Sequence, residues 1–226
     1  MTTTDQNPTT RAYGSLTDAY DFFNRELFAG QLPPCLITMQ RHKGSYGYFS
    51  AERFASLGNA GEITDEIAMN PQHFAGHTLE NTLSTLAHEM CHLWQFHHGK
   101  RPRAGYHDKQ FAAKMREIGL ICSTTGQPGG KETGQKMDHY IDPAGAFARA
   151  CAKLQASGAT ILYHDRASEE TDKTRKQKAS SKTKYTCPGC EANAWAKPKA
   201  KIICGECHEL MISPDDDEAD DDQADE

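Results

Sequence analysis

Residues 83–102 read LSTLAHEMCHLWQFHHGKRP, a run that carries four histidines and a glutamate on an otherwise amphipathic helical pattern. Leu79, Leu83, Leu86, Met90 and Leu93 recur every three or four residues, which predicts a helix from about Leu79 that Gly99 and Pro102 bring to an end. His88 and His92 are four apart, so at about 100° per residue they project from one side, away from the apolar stripe. With Glu89, Met90 and Cys91 between them they spell HExxH, the helical pattern of two metal-binding imidazoles around a carboxylate. The bland alternative is a surface helix that happens to bear two histidines.

Catalytic zinc takes three protein ligands and keeps one position for water, so a third donor is needed. His98 stands where the pattern HExxHxxGxxH puts it, but Gln95 replaces the glycine that would let the helix turn back. The helix is therefore expected to run on, with His98 pointing away and His97 on the apolar side. His107 lies beyond the GKRPRAGY loop at the mouth of the next helix, where a helix-loop-helix return brings it against the first pair, and it is the preferred ligand. His42, His73, His77, His139 and His164 offer no ligand spacing.

Outward from this helix, SLTDAYDFFNRELF (15–28) predicts a helix capped by Ser15 and closed near Gly30. CLITMQ (35–40), SYGYFSAERF (45–54) and DEIAMN (65–70) read as strands of one small sheet, with Tyr46 and Tyr48 expected to serve strand packing rather than contact with substrate or oxyanion. DKQFAAKMREIGL gives a helix after His107, and PAGAFARACAKLQ another. Residues 121–165 otherwise hold a glycine-rich loop to which no chemistry is assigned. Cys35, Cys91, Cys122 and Cys151 are expected as small buried thiols.

The 226 residues suit one domain and a smaller module. The polar N-terminus, MTTTDQNPTTRAYG, shows neither a basic n-region nor an apolar h-region, so no export signal is expected, and no run approaches the roughly 18 apolar residues of a membrane span. A cytoplasmic place without membrane contact is expected, nucleoid-associated in a bacterium, with cysteines kept as thiols or metal ligands. Net charge is −6, but the tail PDDDEADDDQADE concentrates the acids, and without it the balance turns positive. A basic stretch, DKTRKQKASSKTKY, precedes the C-terminal module.

LAHEMCHLWQF followed by GYHDKQFAAKM resembles the SprT-like metallopeptidase domain, the family that includes Spartan and bacterial SprT proteins. The similarity runs loosely over residues 15–120, taking in ELFAGQLP and AMNPQHF, and includes an H-x-x-x-F pattern matched by His107 and Phe111. The resemblance implies an α+β, zincin-like domain built from a small sheet and the HExxH helix. By it, His88, His92 and His107 hold a catalytic zinc and Glu89 is the catalytic carboxylate. A zinc-dependent endopeptidase acting on DNA-bound or DNA-crosslinked proteins follows from the same likeness.

Cys187-Pro-Gly-Cys190 and Cys204-Gly-Glu-Cys207 are two knuckles at the spacing of a structural zinc ribbon. Cys204 to His208 also spells the CxxCH haem motif, but the pair Cys187 and Cys190 argues for four thiolates on one ion. Between the knuckles Lys197, Lys199 and Lys201 alternate along an expected hairpin beside Trp195, a pattern for phosphate contact and base stacking or for a protected edge strand. The expected order is a disordered N-terminus (1–12), the peptidase domain (13–165), a basic linker (166–184), the ribbon (185–212) and a disordered acidic tail (213–226). Expected partners are a protein substrate and DNA, single-stranded or duplex. The alternative is a non-catalytic, nucleic-acid-binding or transcription-associated zinc-ribbon protein with a peptidase-like scaffold.

Overall fold

A computed structural model describes residues 7–166 and 182–213. Residues 1–6, 167–181 and 214–226 lie outside the described residues, and with them half of the expected disordered N-terminus and most of the basic linker and acidic tail; residues 8–12 of that N-terminus belong to a helix. The chain divides between Asp165 and Arg166 into two compact units.

The first unit mixes helices with small sheets. Helix α1 (Pro8–Phe28) starts seven residues ahead of the Ser15 expected to cap it. The Asn7 side chain accepts a hydrogen bond from the Thr9 N–H at 2.9 Å, and Pro8 occupies the first turn, where its missing N–H costs nothing. Ser15 sits inside the helix, its hydroxyl donating to the Ala12 carbonyl.

Strands β1 (Leu36–Met39), β2 (Gly47–Ala55) and β3 (Ile63–Met69) form one sheet in the order β1-β3-β2. β1 runs parallel and β2 antiparallel to β3, so that among the described residues β1 and β2 are the two edge strands of this sheet. A bulge between Ser50 and Phe54 interrupts β2; there Glu52 adopts φ 52° and its N–H donates to Asp65 Oδ1 at 2.7 Å.

Helix α2 (Leu79–His98) opens on Thr78, whose hydroxyl accepts from the Asn81 N–H, and closes at Gly99. Helix α3 (Lys109–Ile118) is capped by Asp108 and ends on Gly119 at φ 88°. Two strands follow that the sequence pattern does not mark. β4 (Leu120–Ser123) and β5 (Asp138–Ile141) form an antiparallel hairpin, and α4 (Ala146–Ala156) completes the unit.

The core takes Tyr20, Phe23, Leu27 and Phe28 from α1 and the stripe Leu83, Leu86, Met90 and Leu93 from α2, all buried. Phe111, Met115 and Phe147 fill it from α3 and α4, with the Phe23 and Phe147 rings 5.4 Å apart. Each such side chain contributes roughly 1.5–3 kcal/mol of burial. The opposite side of α2 is also covered: His88 and Glu89 are buried too, though less completely than the stripe. That second covering makes the site.

The second unit is a hairpin of β6 (Thr183–Thr186) and β7 (Asn193–Ala196) over a small core of Tyr185, Cys187, Cys204 and Met211. The Tyr185 hydroxyl donates to the Lys197 carbonyl and accepts from the Ala200 N–H, both at 2.9 Å. Because this clamp turns the chain just after β7, Lys197, Lys199 and Lys201 do not alternate along a strand as expected. They fall in the turn beyond it, with Lys199 at φ 62°. Trp195 does stand on β7, exposed and paired in register with Lys184. No helix among the described residues is long and apolar enough to cross a membrane.

Candidate metal centre and its cleft

Helix α2 presents His88 and His92 one turn apart, and the loop after Gly99 returns His107 to face them. His107 Nε2 lies 3.2 Å from His88 Nε2 and 3.1 Å from His92 Nε2. A tetrahedral ion about 2.0–2.1 Å from each nitrogen holds neighbouring ligands roughly 3.3 Å apart, so this spacing suits three ligands of one ion. Burial pushes all three imidazoles below their usual pKa, His92 to about 3, which keeps their lone pairs free near neutrality. The donor set fits zinc.

Three devices hold His107. Its backbone exchanges hydrogen bonds with Gly134, at 2.8 and 3.1 Å, and its Nδ1 donates to the Gly134 carbonyl at 3.4 Å, which leaves Nε2 as the ligand atom. The next residue, Asp108, caps α3 and also accepts from Gln95 Nε2 at 2.9 Å. Gln95 therefore does more than occupy a glycine position: it ties the end of the HExxH helix to the start of α3. Phe111 forms the apolar wall, with ring centroids 4.1 Å from His92, 4.8 Å from His107 and 5.0 Å from His88. This contact gives the H-x-x-x-F pattern its physical sense.

The histidines set aside in the sequence stay out of the ligand set. His97 Nε2 meets Asp65 Oδ2 at 2.7 Å, and His98 Nε2 reaches the Gln31 carbonyl at 3.2 Å. His139 is different. Carried by β5, it lies almost parallel to His88 with centroids 5.2 Å apart, and its Nε2 bonds the Ser84 hydroxyl at 2.8 Å. Spacing from the HExxH run could not reveal it; the one signal was Ser84, a helical turn before His88 and on the same face.

Glu89 is 6% exposed, and burial raises its carboxyl to about 8, a shift partly offset by the Phe49 N–H. A cation on the imidazoles works in the opposite direction and favours the carboxylate. Over these groups opens a cleft of about 760 Å³, walled by Tyr46 to Phe49, by Arg101 to His107 and by Gln135 to His139. Tyr46 is exposed in this wall against His73 and His77, not packed in a strand as expected.

Gly47 lets β2 lie close on α2. A Cβ there would stand 2.9 Å from the Ala68 carbonyl oxygen and 3.1 Å from Thr85 Cγ2, with Glu89 Cγ at 3.4 Å. Gly47→Ala is therefore expected to destabilise the unit by about 1–3 kcal/mol. Thermal unfolding checks this; an unchanged midpoint would show that the strand gives way freely.

The four ribbon cysteines also converge, with all Sγ atoms within 4.8 Å of one another and Cys190 to Cys204 at 3.6 Å. Tetrahedral zinc with Zn–S near 2.3 Å sets sulfurs roughly 3.8 Å apart. The knuckles match: the Glu191 N–H donates to the Cys187 carbonyl and the His208 N–H to the Cys204 carbonyl, both at 2.9 Å. Both residues are left-handed, at φ 59° and 58°. The backbone N–H groups of Cys207 and Glu206 pull the Cys204 thiol down to about 7, whereas the sulfurs crowded around Cys207 push that thiol up to about 12, a repulsion that a shared cation relieves. With Cys204 and Cys207 turned toward Cys187 and Cys190, the CxxCH sequence is half of a four-sulfur site.

Fold and centre together define a class: a mixed α and β domain whose HExxH helix gains a third imidazole from the following loop. The family model for the SprT-like family matches residues 16–129, half of the chain, and the chain belongs to that family. A protein of Salmonella typhimurium described as "Uncharacterized protein in mucB 3'region" is 53% identical over 60 residues, 26% of this chain and 80% of that protein.

Proposed function

We propose that this chain is a zinc-dependent endopeptidase acting on proteins bound or crosslinked to DNA. The observation that carries the peptidase reading is the meeting of His88, His92 and His107 beside the buried Glu89, at the base of a cleft bordered by an edge strand of the sheet. When bound, zinc supplies a Lewis acid that polarises the scissile carbonyl and acidifies water.

Extended substrate pairs with the outer edge of β2 along Gly47–Ser50, ahead of the bulge that ends regular pairing. Glu89 takes the proton of the attacking water and passes it to the leaving amine, which departs neutral. Phe49 holds the carboxylate through its N–H, and Phe111 backs the ligand imidazoles on the core side.

DNA association rests on the likeness to Spartan and on the exposed Trp195 beside Lys184, an aromatic face next to a cation. Lys197, Lys199 and Lys201 in the adjoining turn add charge for phosphates, and a cytoplasmic, nucleoid-associated place follows from such a substrate. The scaffold alternative is disfavoured because the imidazoles and the carboxylate are all present and assembled. The test is cleavage of an unstructured protein by the zinc-loaded chain, alone and with single-stranded or duplex DNA. Cleavage that DNA enhances is expected. Cleavage indifferent to DNA removes the DNA role, and none under any condition removes the peptidase.

A further inference from the structure

The loop between α2 and α3 carries two arginines into the wall of the cleft, beside His107. Arg101 lies over the Phe96 ring, its guanidinium carbon 3.8 Å from the centroid, and Arg103 lies over Tyr106 at 4.2 Å. The loop is pinned at both ends. The Lys100 N–H donates to Gln110 Oε1 at 2.7 Å, and His107 pairs with Gly134. Lys136, from the loop before β5, lines the same cleft.

Among the described residues, none of Arg101, Arg103 and Lys136 is in an ion pair, whereas Arg116 is paired with Glu132 and Arg41 with Asp165. The acids of the wall are few. Glu89 lines the cleft with the imidazoles and is bonded by the Phe49 N–H, and Asp138 spends Oδ1 on the His139 N–H at 2.7 Å. A guanidinium seated over a ring still offers N–H groups that can grip a carboxylate with two hydrogen bonds.

We propose that Arg101 and Arg103, with Lys136, form a subsite that selects acidic side chains in the polypeptide being cut. This rests on the peptidase reading and names the substrates it favours. A polypeptide is preferred to a nucleic acid as the occupant for two reasons. The cations line the cleft beside the metal ligands, where the scissile chain must lie. The ring faces a base would stack on also carry guanidinium groups.

The experiment compares three unstructured reporter peptides, identical except for flanking blocks of Asp and Glu, of Ser and Asn, or of Lys. Zinc-loaded full-length protein is expected to show kcat/KM for the acidic peptide about tenfold above the neutral one, a preference that added salt erodes. In R101A/R103A the ratio should fall to about one. In R101E/R103E it should invert toward the lysine peptide, an outcome misfolding does not produce. Equal cleavage of acidic and neutral peptides by the wild type, or a ratio preserved in R101A/R103A, overturns the subsite and leaves the peptidase standing.

A binding arm keeps the two readings apart. Labelled acidic peptide is titrated onto Glu89→Gln, with and without the arginine substitutions, so the subsite is scored even where nothing is cut. Affinity lost with the arginines supports it, and affinity unchanged overturns it. Where a single-stranded oligonucleotide binds through these arginines and the acidic peptide does not, the subsite belongs to phosphates and the proposal is wrong.

Discussion

Glu89→Gln is expected to hold as much zinc as the wild type and to lose cleavage by about 10²–10⁴-fold, the usual worth of a positioned general base. Glutamine fills the same buried space over Gly47 and can still accept the Phe49 N–H. It cannot take a proton from water. Metal content and fold should therefore survive while kcat falls, with little change in KM because the peptide is held by the β2 edge. Zinc analysis and steady-state kinetics on the same preparation check both halves. Undiminished cleavage would transfer the proton to another group, and His139 would then be the first to examine.

His107→Ala is expected to empty the first centre and leave the second filled, so zinc should fall from two per chain to one, with cleavage abolished. Loss of an outer partner of a ligand costs roughly 10–100-fold in metal affinity, and removal of a ligand itself should exceed that. The backbone pairing of residue 107 with Gly134 does not depend on the imidazole, and Asp108 still caps α3, so the loop should keep its course. Mass spectrometry of metal content after gel filtration gives the count. Two ions retained would mean that another donor can replace His107. His139 and His97 are bound elsewhere, to Ser84 and Asp65, and are not free to do so without rearrangement.

The centre itself was legible because helical periodicity is local. Leu79 to Leu93 fixed the stripe, the four-residue interval fixed His88 and His92, and Gln95 in place of glycine kept α2 straight through His98. His107 was reachable because a short loop between helices leaves few places for the returning chain. The cysteine knuckles were legible for a similar reason, since each pair acts within four residues and the fold brings the two pairs together.

What surrounds the centre was not legible. Leu120–Ser123 is buried throughout, so β4 lacks the alternation by which a half-buried strand is recognised. Its partner β5 lies fourteen residues further on, and only that long-range pairing brings His139 to Ser84 and Gly134 to His107. Periodicity on α2 likewise separated the histidines from the apolar stripe without showing that their own face is buried. The early start of α1 was in the sequence, as asparagine followed by proline, a cap and a first-turn residue. Ser15 outweighed it only because the apolar repeat begins at Leu16. The lysines after β7 show the reverse error: period-2 spacing suggested a strand where a tyrosine clamp makes a turn.

The most direct measurement is an anomalous difference map at the zinc edge from crystals of the zinc-loaded chain. Two peaks are predicted, one among the four ribbon sulfurs and one about 2.0–2.2 Å from Nε2 of His88, His92 and His107, with a coordination position open toward the cleft. A filled ribbon with no density among the three imidazoles, or an ion there closed by a fourth protein ligand, would contradict the account.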